Sequence, residues 1–128
     1  MSELTPYLAV ADARAALEWY VDVLGAQVTH EPIVMPDGRI GHVGLAIDGA
    51  ELMMADAHPE IHCPAPEIGI GSPVTLHLTV ADVDALTDAA AVAGAIVDRG
   101  PEDNPQVGRV AVLRDPFGHR WFLNQPLD

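Results

Sequence analysis

The sequence predicts an α+β fold made of two tandem βαβββ modules, and three observations predict it. The two halves of the chain repeat one another at an offset of 70 residues. Each copy changes from the period of a strand to the period of a helix and back. The length of 128 residues, 49% of them hydrophobic, suits one compact globular domain.

The repeat covers most of both halves. Residues 8–12 (LAVAD) recur as 78–82 (LTVAD), and 38–40 (GRI) recur as 108–110 (GRV), each at an offset of 70. Because such self-similarity reflects a repeated structural unit, we predict a single domain over residues 1–128 with two modules joined by a proline-rich linker. The predicted boundaries are module one at 4–58, the linker at 59–73 and module two at 74–126.

Each module begins with a strand that is followed by a helix. Val74–Val80 alternates apolar and polar residues, which is typical of a strand with one buried face, and the first copy repeats this scheme. Asp12 and Asp82 are predicted helix N-caps, and Gly25 and Gly94 are predicted to end the two helices.

Extended segments follow each helix. They are predicted at Gln27–Val34, Ile40–Ile47 and Ala50–Ala55 in module one and at Ala95–Arg99, Arg109–Arg114 and Arg120–Gln125 in module two. Asp48-Gly49 and Asp115-Pro116-Phe117-Gly118 are predicted hairpin turns. The proline-rich join between the modules is predicted to hold no helix or strand.

The charge of the chain excludes some partners. The 19 acidic and 6 basic residues give a net charge of −13, which repels nucleic-acid phosphates and anionic membrane surfaces, so neither is expected as a partner. Cys63 is the single cysteine and cannot form an intrachain disulfide. No apolar run is long enough to cross a membrane, and the N-terminus lacks the pattern of a signal peptide, so we expect a cytoplasmic location.

Two further segments identify a resemblance. With the repeat, residues 19–26 (WYVDVLGA) and 115–121 (DPFGHRW) make the chain similar to the vicinal oxygen chelate superfamily. This superfamily includes glyoxalase I, extradiol dioxygenases and bleomycin resistance proteins. The resemblance spans nearly the whole chain and implies that the two modules wrap a mixed sheet into a cup.

The resemblance also implies where a metal would bind. In the metal-dependent members, His or Glu ligands lie on the first and last strands of each module, at positions that correspond here to Thr5, Met53, Thr75 and Phe122. None of the four is an imidazole or a carboxylate, and a phenyl ring donates nothing to a metal. We therefore predict no metal or other cofactor.

Alternate strand residues that face the cup form the candidate ligand site. The predicted ligand-binding residues are Thr5, Tyr7, His42, Glu51, Met53, Thr75, His77, Arg120 and Phe122. Arg120 is predicted to hold a ligand carboxylate or to pair with Glu51. The opposite parity is nearly all apolar and is predicted to pack under the helices, with Trp121 in the core.

These features favour a small-molecule-binding protein without the usual metal, of the antibiotic-resistance type, that sequesters a cationic or aromatic compound. One alternative is a lyase, isomerase or dioxygenase of the same fold, with His77 as acid and base or a metal relocated to His42, Glu51 and His77. His58, His62 and Cys63, around the start of the linker, also resemble metal-ligand spacing, but Pro59 and Pro64 limit how they can converge, so a solvated lid is favoured there. A ligand sensor or accessory subunit without chemistry is a third reading, and the sequence does not decide whether the protein is an enzyme.

A two-fold homodimer is expected because exposed strand edges require cover.

Overall fold

A computed structural model describes residues 1–127 of the chain. The chain divides into two compact units, Met1–Pro66 and Glu67–Asp128, and each has the order βαβββ. The predicted α+β class is confirmed. The elements are β1 (Tyr7–Val10), α1 (Ala13–Leu24), β2 (Gln27–Val34), β3 (Ile40–Ile47) and β4 (Ala50–Asp56), then a 3-10 turn (Pro59–Ile61), β5 (Thr75–Thr79), α2 (Val83–Val92), β6 (Ile96–Asn104), β7 (Gly108–Arg114) and β8 (Arg120–Gln125).

Both sheets have the same topology. Their strand orders are β1-β4-β3-β2 and β5-β8-β7-β6, with the first and last strands of each unit parallel and the other neighbours antiparallel. The edge strands β2 and β6 have irregular registers with bulges. The expected homodimer stays a prediction, for which Ile33 and Val34 on β2 offer exposed apolar surface.

The core of unit one lies between α1 and one face of its sheet. The helix buries Ala13, Ala16, Trp19, Tyr20 and Leu24, at helical spacing. The sheet buries the predicted apolar parity, namely Leu8, Val10, Val43, Leu45, Ile47, Leu52 and Met54. Because α1 already covers this face, the opposite face of the sheet is the one left for a ligand.

Unit two follows the same plan with smaller side chains on its helix. The helix α2 buries Val83, Thr87 and Ala90, and the sheet buries Leu78, Ala111, Leu113, Trp121 and Leu123. The core position predicted for Trp121 is confirmed. Val74 was predicted to begin this strand on its buried face, and that prediction is wrong. The strand β5 pairs with β8 only from Thr75 to Thr79, which leaves Val74 outside the sheet and 65% exposed.

Both helices begin and end where the sequence predicts. Asp12 Oδ1 accepts a hydrogen bond from Ala15 N and Asp82 Oδ1 accepts one from Ala85 N, each at 3.1 Å. Gly25 and Gly94 follow the helices with φ of 70° and 105°, a region that favours glycine. Neither helix in residues 1–127 combines the length and the apolar character that a membrane crossing requires.

Two of the predicted segment boundaries need correction. The strand β6 extends to Asn104 instead of ending at Arg99, because pairing with β7 resumes beyond Gly100-Pro101 after a register shift. The linker is not free of structure: it holds the 3-10 turn and an isolated bridge between His58 and Cys63. At Gly100-Pro101, tertiary pairing with β7 overrides the local signal for a break. In the linker, the turn begins at Pro59 and its backbone hydrogen bonds join residues of the same short segment.

Asp115 organises the turn between β7 and β8. Its Oδ1 accepts hydrogen bonds from Phe117 N at 2.9 Å and His119 N at 3.1 Å, and its Oδ2 accepts one from Trp121 Nε1 at 2.8 Å. The residue is only 3% exposed. Because one carboxylate satisfies three donors beside the core, the Asp-Pro-Phe-Gly segment has a structural role that needs no ligand.

We predict that Asp115→Ala lowers the free energy of unfolding by about 3 kcal/mol, because the change leaves three donors without their acceptor. Urea unfolding followed by circular dichroism measures the loss. The matched control is Asp88→Ala at an exposed position of α2, expected to change stability by about 0.5 kcal/mol or less. Equal stabilities of the two variants would contradict the structural role of Asp115.

Candidate functional site

The parallel strand pairs bring the predicted ligand-binding residues together in each unit. Tyr7 on β1 lies beside Met53 on β4, and His77 on β5 lies beside Phe122 on β8. The two pairs are equivalent by the internal repeat, at offsets of 70 and 69 residues. In each unit, the last-strand position that corresponds to a metal ligand in the metal-dependent members therefore adjoins a ring-bearing residue on the first strand.

Tyr7 and His42 form a polar ring pair in unit one. The Tyr7 hydroxyl lies 2.8 Å from His42 Nδ1 in a hydrogen bond whose donor depends on the histidine tautomer, and 3.3 Å from the carbonyl oxygen of Gly41. The ring centroids are 5.5 Å apart. Tyr7 is 50% exposed, so the pair presents an aromatic surface and a hydrogen-bonded hydroxyl to solvent.

His30 extends this pair, although it was not among the predicted ligand-binding residues. Its ring stands edge-to-face on His42 at a centroid distance of 5.0 Å, and its Nδ1 donates to the carbonyl oxygen of Glu31 at 2.9 Å. His30 lies opposite Gly44, where an added Cβ would come within 2.9 Å of His30 Cβ. The missing side chain at Gly44 therefore makes room for the histidine.

The remaining predicted residues of unit one are Thr5, Glu51 and Met53, and they differ in burial and in position. Met53 is half-buried, and its backbone N–H donates to the carbonyl of Pro6 at 2.9 Å. Thr5 precedes β1 and is half-buried, so the predicted first-strand metal position falls outside the strand itself. Glu51 is exposed on β4 opposite Ala46.

In unit two, the structure brings all four predicted residues onto one face of β5 and β8. The rings of His77 and Phe122 are stacked, with centroids 5.4 Å apart and planes inclined by 16°. Arg120 Nη1 donates to Thr75 Oγ1 at 2.5 Å. His77 and Thr75 are exposed, while Phe122 and Arg120 are half-buried. The alternative pairing of Arg120 with Glu51 joins residues of different units and stays a prediction.

The donor chemistry does not fit the metal site of the metal-dependent relatives. Hydroxyls at Thr5 and Thr75, a thioether at Met53 and a phenyl ring at Phe122 do not make a ligand set for a hard or borderline divalent ion. Within residues 1–127, no three or more His, Cys, Asp or Glu side chains are grouped for metal binding. His58, a candidate ligand from the sequence, is therefore not part of such a group, and its Nε2 instead contacts Met35 Sδ at 3.2 Å.

A surface depression of about 400 Å³ lies elsewhere in unit one, beside the start of α1. Its polar lining is already bonded: Asp56 accepts from Ala13 N and Ile40 N, both at 2.7 Å, and Arg39 pairs with Asp37 and Glu60. None of the predicted ligand-binding residues lines it. These contacts fasten the helix and the β3 hairpin to the sheet, so we assign the depression a structural role.

The fold agrees with comparisons to known proteins. The two βαβββ units of the structure are the architecture that the resemblance to the vicinal oxygen chelate superfamily implied. The sequence profile of the Glyoxalase/Bleomycin resistance protein/Dioxygenase superfamily matches residues 4–123, and the chain belongs to this superfamily. The uncharacterised protein Rv0887c of Mycobacterium tuberculosis (strain ATCC 25618 / H37Rv) is 41% identical over 127 residues, which are 97% of this chain and 74% of that protein.

Two solved structures extend the comparison. TnmS3, an antibiotic binding protein from Streptomyces sp. CB03234, shares 27% identity at a TM-score of 0.69, over 99% of this chain and 98% of its own. A glyoxalase/bleomycin resistance protein from the same organism shares 28% identity at a TM-score of 0.67, over 97% of this chain and 100% of its own. The chain therefore shares the complete fold of antibiotic-binding and resistance-type proteins.

We predict that the Tyr7 phenol makes stability depend on pH in the alkaline range. Burial, and secondarily the negative charge of Cys63, raise the pKa of Tyr7 above its ordinary value. The stabilisation is complete below the unfolded-state pKa of about 10 and is lost as the pH rises through the folded pKa. Urea unfolding of the wild type and Tyr7→Phe across this range measures it. A wild type that gains stability relative to Tyr7→Phe as the pH rises would contradict the prediction.

Proposed function

We propose that this protein binds a small, flat aromatic molecule without a metal ion, as an antibiotic-sequestering member of its superfamily. The observation that carries the proposal is the His77–Phe122 stack on the face of the sheet opposite α2. Two rings already stacked in near-parallel planes provide a platform to which a third flat ring can add. The similarity to TnmS3, an antibiotic binding protein, supports the same class of ligand.

The surroundings of the stack suit binding better than catalysis. On this face, Thr75 and Arg120 provide hydroxyl and guanidinium groups for orienting a ligand, while the rings provide the apolar contact. His77 contacts Phe122 ring to ring. In the described part of unit two, residues 67–127, its imidazole has no hydrogen bond to a carboxylate that would orient it. A histidine positioned as a general base is commonly oriented by such a partner, so a stacking role for His77 is favoured.

Metal-free binding is the second part of the proposal. It is supported by the side chains at the four positions that correspond to metal ligands in the metal-dependent members. These are Thr5, Met53, Thr75 and Phe122, which cannot together replace a set of His and Glu ligands. In particular, Phe122 uses the last-strand position of unit two for a ring contact with His77. A position that serves a metal in other members here serves stacking.

We predict that protein prepared without a histidine tag and dialysed against Ni²⁺, Zn²⁺, Mn²⁺ or Fe²⁺ retains well under one ion per chain and shows no thermal shift, because the donor set is unsuitable. Elemental analysis by mass spectrometry measures the retention. Stoichiometric metal that is lost in His42→Ala or His77→Ala would replace this proposal with that of a metalloenzyme.

We predict that Phe122→Ala weakens the binding of an uncharged aromatic probe, anthracene carboxamide, by about 1–3 kcal/mol, because it removes one ring of the platform. Quenching of anthracene fluorescence measures the affinity. Leu78→Ala is the matched control: Leu78 lies on the same sheet but faces the core, so the change should cost about 2–5 kcal/mol of stability and leave the affinity of the folded protein unchanged. Unaltered binding by Phe122→Ala would place the ligand on another surface.

A further inference from the structure

The arginines of this acidic chain are mostly neutralised by carboxylates. All six basic residues are arginines. Four of them have carboxylate partners: Arg39 pairs with Asp37 and Glu60, Arg99 with Glu102, Arg109 with Asp84 and Asp103, and Arg114 with Asp98. With 19 acidic residues in the sequence, an arginine that lacks such a partner stands out.

Arg120 is such an arginine, and it lies in the candidate site. In the described part of unit two, residues 67–127, no carboxylate lies within ion-pair distance of Arg120, whose recorded partner is Thr75 Oγ1. A guanidinium carries five N–H donors in a planar fork. The bond to Thr75 uses one donor on Nη1 and holds the side chain in place, so the others remain available for a planar anion.

The neighbouring strand adds to the positive charge at this point. Arg114 on β7 lies directly opposite Arg120 on β8. Like charges in directly opposed positions repel, and Asp98 compensates Arg114 alone, through two hydrogen bonds of 2.8 Å each. The three groups Arg114, Asp98 and Arg120 therefore sum to one uncompensated positive charge on the face that carries the ring stack.

The spacing between charge and rings defines a ligand. Arg120 and Phe122 point to the same side of β8 and are two residues apart, which is about 7 Å along a strand. We infer that unit two selects aromatic ligands that carry a carboxylate, with the rings on His77 and Phe122 and the carboxylate on the Arg120 fork. This inference rests on the proposed aromatic-binding function and specifies the charge of its ligand.

The inference differs from the expectation that the total charge suggests. A net charge of −13 favours cationic ligands at a distance. At contact, the selectivity of a site depends on the groups that touch the ligand, and the charged side chain among the four candidate residues of unit two is the guanidinium of Arg120. The structure thus assigns attraction of an anion to a local feature that the overall charge opposes.

Three probes that share the anthracene ring system and carry a negative, a neutral or a positive substituent test the inference: anthracene carboxylate, anthracene carboxamide and anthracenylmethylammonium. We expect the carboxylate to bind about tenfold or more tightly than the carboxamide, and the ammonium to bind most weakly. Arg120→Gln should lower the affinity for the carboxylate by more than the affinity for the carboxamide, so that the preference for the carboxylate is lost. Arg14→Gln is the matched control, because Arg14 donates to the Gly38 carbonyl in unit one and its loss changes the net charge equally.

The outcomes separate this inference from the function beneath it. Equal affinity for the carboxylate and the carboxamide, with both weakened by Phe122→Ala, would overturn the anion preference and leave aromatic binding standing. Equal effects of Arg14→Gln and Arg120→Gln on carboxylate affinity would also overturn it, since the effect would then be one of net charge. Failure of all three probes to bind at millimolar concentration would overturn the aromatic-binding proposal together with the inference.

Discussion

The parallel pairing of the first and last strands in each unit determines where the candidate ligand-binding side chains lie. Parallel neighbours require a crossover, and α1 and α2 provide it. The end of each last strand also holds the start of the helix: Asp56 Oδ1 accepts from Ala13 N at 2.7 Å, and Gln125 Oε1 accepts from Val83 N at 3.0 Å. One strand per unit thus fixes the helix at its end and carries a candidate ligand-binding residue at its middle.

The internal repeat separates what the scaffold requires from what the site requires. The helix caps, the glycines after the helices and the apolar parity recur in both units. The central residues on the opposite face differ between the units, since Tyr7 and Met53 in one unit correspond to His77 and Phe122 in the other. Unit one presents a hydrogen-bonded phenol and imidazole, whereas unit two presents a stack beside a guanidinium. Conserved architecture and divergent faces are expected when the fold provides positions and the side chains provide function.

Periodicity alone predicted the elements that have one buried face. The alternation around Leu78 corresponds directly to observed structure, since burial of one face dictates it. The aspartate caps of both helices were predicted from their ability to accept a hydrogen bond from the first turn, and both do so. The contact of His30 with His42 could not be predicted, because β2 is bulged and parity assigns no face across a bulge. Val74 and the long β6 were mispredicted for a related reason: the extent of a strand depends on its partner, which the local sequence does not specify.

The pairing of four arginines with carboxylates has a consequence for the kinetics of ligand capture. Those ion pairs leave most of the 19 acidic residues uncompensated, so an approaching anion meets a repulsive field before it reaches Arg120. At physiological ionic strength this field decays within about 8 Å, whereas a direct guanidinium contact is much less affected. Added salt should therefore speed the arrival of an anionic ligand and slow that of a cationic one. In the inferred mode of binding, the long-range field sets how fast ligands arrive, and the contact at Arg120 sets how long they stay.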